Sequence, residues 1–268
     1  MCSSRESASG GNIYGKMKPG AGWPEGYGRR VLRSVDSTNA EAARLAPALS
    51  GPEWILALEQ TAARGRRGRV WANPPGNFAA TLAMRPTETP DRVALRSFVA
   101  ALSLHDTLVA ATGRATGLAL KWPNDVLLNG GKLAGILLES AGSGDSLSHF
   151  AIGIGVNLRN APGADAVEAG AARPVSLVSE TGIAIDPEAF LDILAPAYAR
   201  HEAQFATYGF APIRAAWLAR AAKLGETITA RTARETHVGR FETVDAAGNL
   251  VLMTARGRQT IAAADVFF

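Results

Sequence analysis

Four arginines and two glycines are concentrated in the segment TAARGRRGRVW, Thr61 to Trp71. Forked guanidinium groups match phosphate and carboxylate oxygens, and glycines let a backbone approach such a ligand closely. The residue types allow three interpretations: an arm for nucleic acid, a solvated charged loop, or a lid over one phosphate-bearing ligand. The surrounding sequence has to decide between them.

A second group of reactive side chains lies in KWPNDVLLNGGKLAGILLE, residues 121–139. Lys121 ends one apolar strand, Lys132 begins another, and Asp125 follows the turn between them. This order predicts that the three side chains meet at one end of a three-stranded patch. Cations there could stabilise negative charge that develops in a reaction, whereas the alternative is a turn with solvated charges.

The composition indicates a globular protein without a structural metal or disulfide. The 268 residues are 47% hydrophobic, which is enough for a full core. The net charge of +4 is smaller than the positive charge that a nucleic-acid-binding protein usually carries. The single cysteine, Cys2, excludes an internal disulfide and four-thiolate zinc sites, and the four histidines lack metal-ligand spacing. We therefore predict no metal held by protein side chains alone.

The sequence predicts a cytoplasmic protein that contacts no membrane. We expect no apolar run near the ~18 residues of a membrane span, and the N-terminal residues do not resemble a signal peptide. The first 22 residues are rich in Gly and Ser, which predicts a disordered segment.

Hydrophobic periodicity predicts an α/β core whose neighbouring strands run antiparallel. A strand over 29–35 precedes a helix that Thr38 and Glu41 would start as a capping box. Apolar strands on both sides of the arginine segment make that segment a loop between buried strands. Further predicted elements are a helix over 93–112, four strands between 117 and 158, and two helices over 186–210 and 211–222. Pro196 should kink or split the first of these two helices.

Short alternating runs from Leu224 onward predict a small β-barrel. The predicted organisation is a disordered segment over 1–22, a main domain over 23–222 that carries both groups of reactive side chains, and the barrel over 223–268.

Taken together, DSTN, EQTAARGRRGRVW, KWPND, GKLAGILLE and GIGVNL resemble, in this order, the catalytic domain of biotin protein ligases. These motifs cover residues 29–160, and the segment 186–268 also suits the family. Each motif alone is weak, but the set is specific.

The resemblance implies an α+β fold: a mixed sheet with flanking helices like that of class II aminoacyl-tRNA synthetases, plus a C-terminal SH3-like barrel. It also implies two half-reactions. ATP and biotin form biotinyl-5'-AMP and pyrophosphate with the help of Mg²⁺, and a lysine of a biotin carboxyl carrier domain then accepts the biotinyl group. The partner is the carrier domain rather than DNA, and the question of a homodimer stays open.

Matching positions divide the predicted site in two. Biotin would contact Ser37, Thr38, Asn39, Gln60, Arg64, Gly65, Arg66 and Lys132. Hydroxyl and amide groups suit the two N–H donors and the carbonyl acceptor of a ureido ring. ATP or the adenylate would contact Arg64, Arg67, Arg69, Trp71, Lys121, Asn124 and Asn157. Trp71 could equally be a core residue, and Asn157 could hold a turn.

Three residues are predicted to act in catalysis. The resemblance makes Lys132 the cation that bridges the biotin carboxylate and the α-phosphate, with Arg66 nearby. An attacking lysine must be neutral although its ordinary pKa is about 10.4. Asp125 is our candidate for orienting that amine and accepting its proton, and the alternative is that Asp125 fixes the turn.

The arginine segment departs from the family at its first position, where Ala63 replaces the usual glycine. If that position needed a positive φ, alanine would add strain of about 1 kcal/mol or more.

Three other functions are compatible with parts of the sequence. A lipoate-type ligase shares the architecture and reaction but needs a different pocket. A nucleic-acid-binding protein could use the arginines as an arm, although they lie between core strands. A biotin-dependent repressor needs an N-terminal DNA-binding domain for which we expect no room.

Overall fold

A seven-stranded mixed sheet forms the centre of the structure, a computed structural model that describes residues 22–143, 146–163, 167 and 170–268. Its strands are β1 (Gly28–Leu32), β2 (Glu53–Ala57), β3 (Phe78–Met84), β4 (Leu118–Lys121), β5 (Asp125–Leu128), β6 (Gly131–Ser143) and β7 (Ser146–Val156). The order across the sheet is β1-β2-β3-β7-β6-β5-β4. Only β1 and β2 pair in parallel. The predicted disordered segment lies outside the described residues, apart from Gly22.

The two faces of this sheet carry side chains of different size. On β7 the even-numbered residues from Phe150 to Val156 enter the main core, whereas Ala151, Gly153 and Gly155 lie on the opposite face. Side chains alternate along a strand with a period of two, so the small residues line one face together. They leave a depression on that face, and the candidate site lies there.

The described residues form six α-helices, which lie on both faces of the sheet. They are α1 (Thr38–Leu45), α2 (Pro90–Ala94), α3 (Arg96–Thr112), α4 (Leu177–Thr181), α5 (Pro187–Tyr208) and α6 (Phe210–Leu218). Helices α3, α5 and α6 contribute to the main core against the large residues of the sheet. Helix α1 packs on the small-residue face through the fully buried Ala42. The N-terminus of α1 therefore reaches the depression.

The C-terminal residues form a separate antiparallel sheet. Its strands are β8 (Thr227–Arg231), β9 (Thr236–Val244), β10 (Leu250–Thr254), β11 (Gly257–Ile261) and β12 (Asp265–Phe267), in the order β11-β10-β9-β8-β12. Trp122, just after β4, donates a hydrogen bond from its indole to the carbonyl oxygen of Gly248 at 3.0 Å. The strands predicted from Leu224 onward are confirmed, as is the antiparallel run from β4 to β7.

Of the predicted kink or split at Pro196, the split is wrong, because α5 continues through it from Pro187 to Tyr208. Proline removes one helical hydrogen bond and strains the preceding turn. Leu194, Ala195 and Tyr198, on both sides of the proline, are fully buried in the main core. Their burial offsets the local loss.

The predicted capping box is also wrong. Ser37, not Thr38, is the cap residue of α1, and its side chain makes no capping hydrogen bond. Thr38 is the first helical residue, and its polar groups contact the site described below. Glu41 pairs with Arg44 at 2.7 Å instead of reaching back to the cap.

The segment Pro90–Thr112 is long and apolar enough to cross a membrane by length and composition alone. The expectation that no segment reaches this length was therefore wrong. However, 78% of its most apolar window is buried inside the structure. Its apolar character is that of a core element, since α3 packs against α5 and α6.

Candidate active site

One pocket of about 550 Å³ opens on the small-residue face of the main sheet. The start of α1, the arginine segment, the β4–β5 turn, β6, β7 and the C-terminal strand β12 all contribute to its lining. Five cationic side chains face two carboxylates there; the cations are Arg64, Arg66, Arg69, Lys121 and Lys132, and the carboxylates are Asp125 and Asp265. The excess of positive charge suits a polyanionic ligand such as a nucleotide.

Hydroxyl and amide groups at the start of α1 form one end of the pocket. Ser37, Thr38 and Asn39 are each about 95% buried. The backbone N–H and the hydroxyl of Thr38 both donate to Oε1 of Gln60, at 2.8 and 3.1 Å. Thr81 on β3 lies 2.8 Å from the Thr38 hydroxyl and 2.6 Å from Oδ1 of Asn39. Donors and acceptors are thus held side by side in an otherwise apolar wall.

Gly153 allows this amide cluster to sit against the sheet. A Cβ at Gly153 would overlap the side-chain amide of Asn39. Asn39 in turn donates to Oε2 of Glu139 on β6 at 2.7 Å. The close approach therefore depends on glycine at a position where the strand carries small residues.

The arginine segment folds as a small hairpin rather than as an extended loop. The N–H of Gly65 donates to the carbonyl oxygen of Arg69 at 2.7 Å, and that of Trp71 donates to Ala63 at 3.1 Å. Arg67 and Gly68 form the turn, with φ values of 58° and 73°. Positive φ at both central residues is the geometry of primed hairpin turns, which favour glycine in the second place.

Ala63 does not lie in the left-handed region, so the strain suggested for this position does not arise. The positive φ falls on Arg67 instead. The hairpin therefore tolerates alanine where the family usually has glycine.

Carboxylates from two different sheets hold this hairpin. Arg64 contacts Glu139 of β6, with Nε 3.2 Å from Oε1. Arg67 and Arg69 both reach Oδ2 of Asp265, at 2.6 and 3.1 Å. The hairpin is consequently ion-paired at its base and at its tip.

Trp71 follows the hairpin and lies across the glycines of the sheet. A Cβ at Gly155 would lie 2.7 Å from the indole, and one at Gly135 would lie 3.3 Å from it. The ammonium group of Lys132 is 5.6 Å from the centre of the same ring, within the range of a cation–π contact. Trp71 is therefore a wall of the pocket rather than a residue of the main core.

The predicted meeting of Lys121, Asp125 and Lys132 is confirmed. Lys121 and Asp125 are register partners on β4 and β5, and Nζ of Lys132 is 2.7 Å from Oδ1 of Asp125. Lys121 is only 8% exposed, and its burial lowers the pKa of the ammonium group, which Asp125 partly counteracts. The ring of Phe268 covers that ammonium at 5.2 Å.

Arg66 spans the gap between the β4–β5 turn and the C-terminal sheet. Its Nη1 lies 3.5 Å from Oδ1 of Asn124 and 3.5 Å from the carbonyl oxygen of Ala264. Burial lowers the pKa of Arg66, but a guanidinium group remains charged throughout the accessible pH range. A permanent cation is thus placed over the pocket.

The two predicted asparagines also have structural partners. Asn124 donates to the carbonyl oxygen of Ile136, and Asn157 donates to that of Val175 at 3.0 Å. Both line the pocket. Their amides fix the turn after β4 and the segment after β7 while one side remains toward the cavity.

The structure brings together all the predicted site residues except Arg67, which does not line the pocket. Sequence reasoning missed Thr81, Glu139 and Asp265. Thr81 and Gly153 face each other across β3 and β7, so the alternation of small residues could have pointed to Thr81. His105 on α3, one of the four histidines without metal-ligand spacing, is buried, with 6% of its surface exposed.

No group of three or more His, Cys, Asp or Glu side chains converges as metal ligands within the described ranges. Asp125 and Asp265, the carboxylates of the pocket, are already ion-paired with Lys132 and with the arginines. These residues do not by themselves form a site for Mg²⁺, which takes oxygen ligands in an octahedral arrangement.

Comparison with known proteins agrees with this geometry. The sequence model of the biotin/lipoate A/B protein ligase family matches residues 30–157, and that of the biotin protein ligase C-terminal domain matches residues 223–268. A biotin–[acetyl-CoA-carboxylase] ligase of Paracoccus denitrificans is 62% identical over 89% of this chain and 99% of its own length. The chain belongs to the biotin protein ligase family.

Two further relatives extend the comparison. A bifunctional ligase/repressor of Bacillus subtilis is 32% identical, covering 88% of this chain and 71% of the relative. The solved structure of the Aquifex aeolicus biotin protein ligase in complex with biotin and ATP is similar with a TM-score of 0.74 and 26% identity. It covers 89% of this chain and 97% of that protein.

Proposed function

We propose that this chain is an ATP-dependent biotin protein ligase. The observation that carries the proposal is the single pocket in which a hydroxyl and amide cluster adjoins five cationic side chains. The first part suits a ureido ring, and the second suits a triphosphate. The 62% identical relative bears the name of this activity.

In the first half-reaction the biotin carboxylate oxygen attacks the α-phosphorus of ATP, and pyrophosphate leaves. Both reactants are anions, so the reaction needs fixed cations where negative charge accumulates. We assign this role to Lys132 and Arg66, which reach the pocket from β6 and from the hairpin. Lys121 and Asn124 would face the nucleotide, and Ser37, Thr38, Asn39 and Gln60 the ureido ring.

In the second half-reaction the ε-amine of a carrier lysine attacks the biotinyl carbonyl carbon, and AMP leaves. We assign to Asp125 the role of orienting that amine and taking its proton; its position at the same end of the pocket as Lys132 supports this assignment. The ion pair gives Asp125 a second role, that of orienting Lys132. This contact is electrostatic, since Oδ1 of Asp125 has no hydrogen bond of good geometry.

Mg²⁺ would enter with the nucleotide and be held mainly by its phosphate oxygens. When bound, it would neutralise charge on the triphosphate. The chain's own contribution is the set of fixed cations around the site.

Transfer to a carrier domain tests the proposal. Purified chain, ATP, Mg²⁺, biotin and an isolated biotin carboxyl carrier domain should yield one biotin per carrier by intact mass. A carrier with its acceptor lysine changed to arginine is the control. Failure to label any carrier domain would contradict the proposed transfer of biotin.

Asp125→Asn should slow biotin transfer more than it slows pyrophosphate exchange. Equal losses in the two steps would contradict the role assigned to Asp125.

The proposal also covers the fold class of each sheet, the cellular location and the oligomeric state. We assign the main sheet and its helices to the class II aminoacyl-tRNA synthetase-like fold, and the C-terminal sheet, in which β12 pairs back on β8, to an SH3-like barrel. A crystal structure would test both. The lone cysteine suits the cytoplasm, which cell fractionation can check. Light scattering with biotin and ATP would decide the question of a homodimer.

A lipoate-type ligase is the second candidate, because one matching family includes both kinds of enzyme. The C-terminal match is to biotin protein ligases, which favours biotin. Binding to nucleic acid is disfavoured because Arg64, Arg67 and Arg69 have internal carboxylate partners. Retarded migration of a DNA or RNA probe with the chain, in a mobility-shift experiment at physiological salt, would show instead that the chain binds nucleic acid.

A further inference from the structure

Three arginines of the hairpin converge on one carboxylate from the far end of the chain. Arg67 and Arg69 share Oδ2 of Asp265, at 2.6 and 3.1 Å, while Nη1 of Arg66 lies 4.0 Å from Oδ1. Asp265 is 17% exposed, whereas the Arg67 and Arg69 side chains are about half exposed, so water partly screens these contacts and each one alone is weak. The contact links residues nearly 200 positions apart in sequence.

Asp265 lies on a strand that has packing contacts of its own, apart from the hairpin. It begins β12, where it is the register partner of Arg231 on β8. The neighbouring Phe267 lies under the Arg231 guanidinium at 4.5 Å, and Val266 is 95% buried. The carboxylate therefore stands on a rigid strand at the wall of the pocket.

Arg67 differs from its neighbours in what it can reach. It does not line the pocket, and it makes the shortest of the three contacts with Asp265. It lies at the turn of the hairpin, with a φ of 58°, and its side chain reaches Asp265 of the C-terminal sheet. This geometry suits an anchor better than a ligand for phosphate.

We propose that Asp265 is a positioning residue that clamps the arginine hairpin to the C-terminal sheet and so holds Arg66 across the nucleotide side of the pocket. Arg67 belongs to this clamp. The effect on ATP rests on the proposed function, whereas the clamp itself does not. The clamp orders the hairpin before ATP binds, and the carboxylate offsets the mutual repulsion of the arginines. ATP binding then has a smaller entropy cost, because less of the hairpin remains to be ordered.

Hydrogen–deuterium exchange of the ligand-free chain tests the clamp directly. The amides of Gly65 and Trp71 close the hairpin, and peptides covering 62–72 report its opening. Asp265→Asn should speed their exchange about fivefold, Arg67→Ala should speed it less because Arg66 and Arg69 still contact Asp265, and the double variant should not exceed Asp265→Asn. Asp265→Glu should stay near the native rate, as should Glu235→Gln, an exposed carboxylate in the connection between β8 and β9.

Pyrophosphate exchange supplies the catalytic readout. Asp265→Asn should raise KM for ATP about fivefold and KM for biotin clearly less, because only Arg64, Gly65 and Arg66 of the predicted biotin contacts lie in the hairpin, whereas the α1 amides rest on Gln60, Thr81 and Glu139. A merely structural loss would raise both KM values together and lower Tm.

The clamp would be ruled out if the hairpin amides of Asp265→Asn exchanged at the native rate. It would also be ruled out if the effects of Asp265→Asn and Arg67→Ala on that rate multiplied in the double variant. An equal rise of both KM values would overturn the positioning role. If the native chain catalysed no pyrophosphate exchange, the proposed function would fail, while amide exchange would still decide whether the clamp exists.

Discussion

At the scale of single residues, glycine is required where Trp71 lies against the sheet. Alanine at position 155 would put a methyl group 2.7 Å from the indole, whereas at position 135 the distance is 3.3 Å, which a small shift can relieve. Both residues are on neighbouring strands and face the same ring, so they form a matched pair for substitution.

We predict that Gly155→Ala displaces Trp71 at a cost of about 1–3 kcal/mol, and that Gly135→Ala has a clearly smaller effect. Because Trp71 is a wall of the pocket, Gly155→Ala should also raise KM for ATP in pyrophosphate exchange. Urea unfolding and the exchange assay measure the two effects. Native stability together with native KM in Gly155→Ala would show that Trp71 does not pack there in solution.

Which site residues the sequence could predict depends on how far their contacts extend. Lys121, Asp125 and Lys132 lie within a dozen positions of one another, and strand and turn patterns alone brought them together. Asp265 meets Arg67 across the whole catalytic region, and nothing near either residue indicates the other. Whether Ala63 is strained depended on whether its position needs a positive φ, which the sequence does not reveal; that conformation belongs to Arg67.

At the scale of elements, packing decided the cases in which local rules failed. Pro196 did not break α5 because the residues around it are buried against the sheet and α3. Thr38 did not cap α1 because its hydroxyl is used by Gln60 and Thr81. Strand β7 faces the core on one side and the site on the other. For such a strand, the alternation of large and small residues was sufficient to predict the element.

Asp106 connects the helices that cover the main core. It lies on α3, 3.5 Å from Nδ1 of the adjacent His105 and 2.8 Å from Nε2 of His201 on α5, and Arg200 adds a contact at 3.2 Å. His105 and His201 hold the pKa of this carboxyl well below its ordinary range. The unfolded chain therefore takes up the proton first as the pH falls, so the stabilisation is present above a pH of about 4 and is lost at lower pH.

We predict that Asp106→Asn lowers the free energy of unfolding at pH 7 by about 1 kcal/mol, since the carboxylate is partly exposed. The difference from the native chain should narrow as the pH falls from 4 toward 3. Asp91→Asn, at the exposed start of α2, is the control and should change stability by less than about 0.5 kcal/mol. A constant difference from pH 7 to pH 3 would contradict the assigned pKa direction.

At the scale of the whole molecule, two sheets build one site. The main sheet supplies the lysines, Asp125 and the glycine floor, while the C-terminal strand supplies Asp265. The mixed sheet and the strand-rich C-terminal region were predictable from the sequence because hydrophobic periodicity is local. The contact between them was not, because it depends on the folded arrangement of both.

The central claim is that this pocket joins biotin to AMP, and pyrophosphate exchange tests it most directly. Labelled pyrophosphate should enter ATP with biotin, and neither with lipoate nor without an acid. Lys132→Ala, folded as judged by Tm, should lose exchange by at least about a hundredfold if Lys132 stabilises the charge that develops. Exchange with lipoate instead of biotin, or no exchange with either acid, would contradict the account.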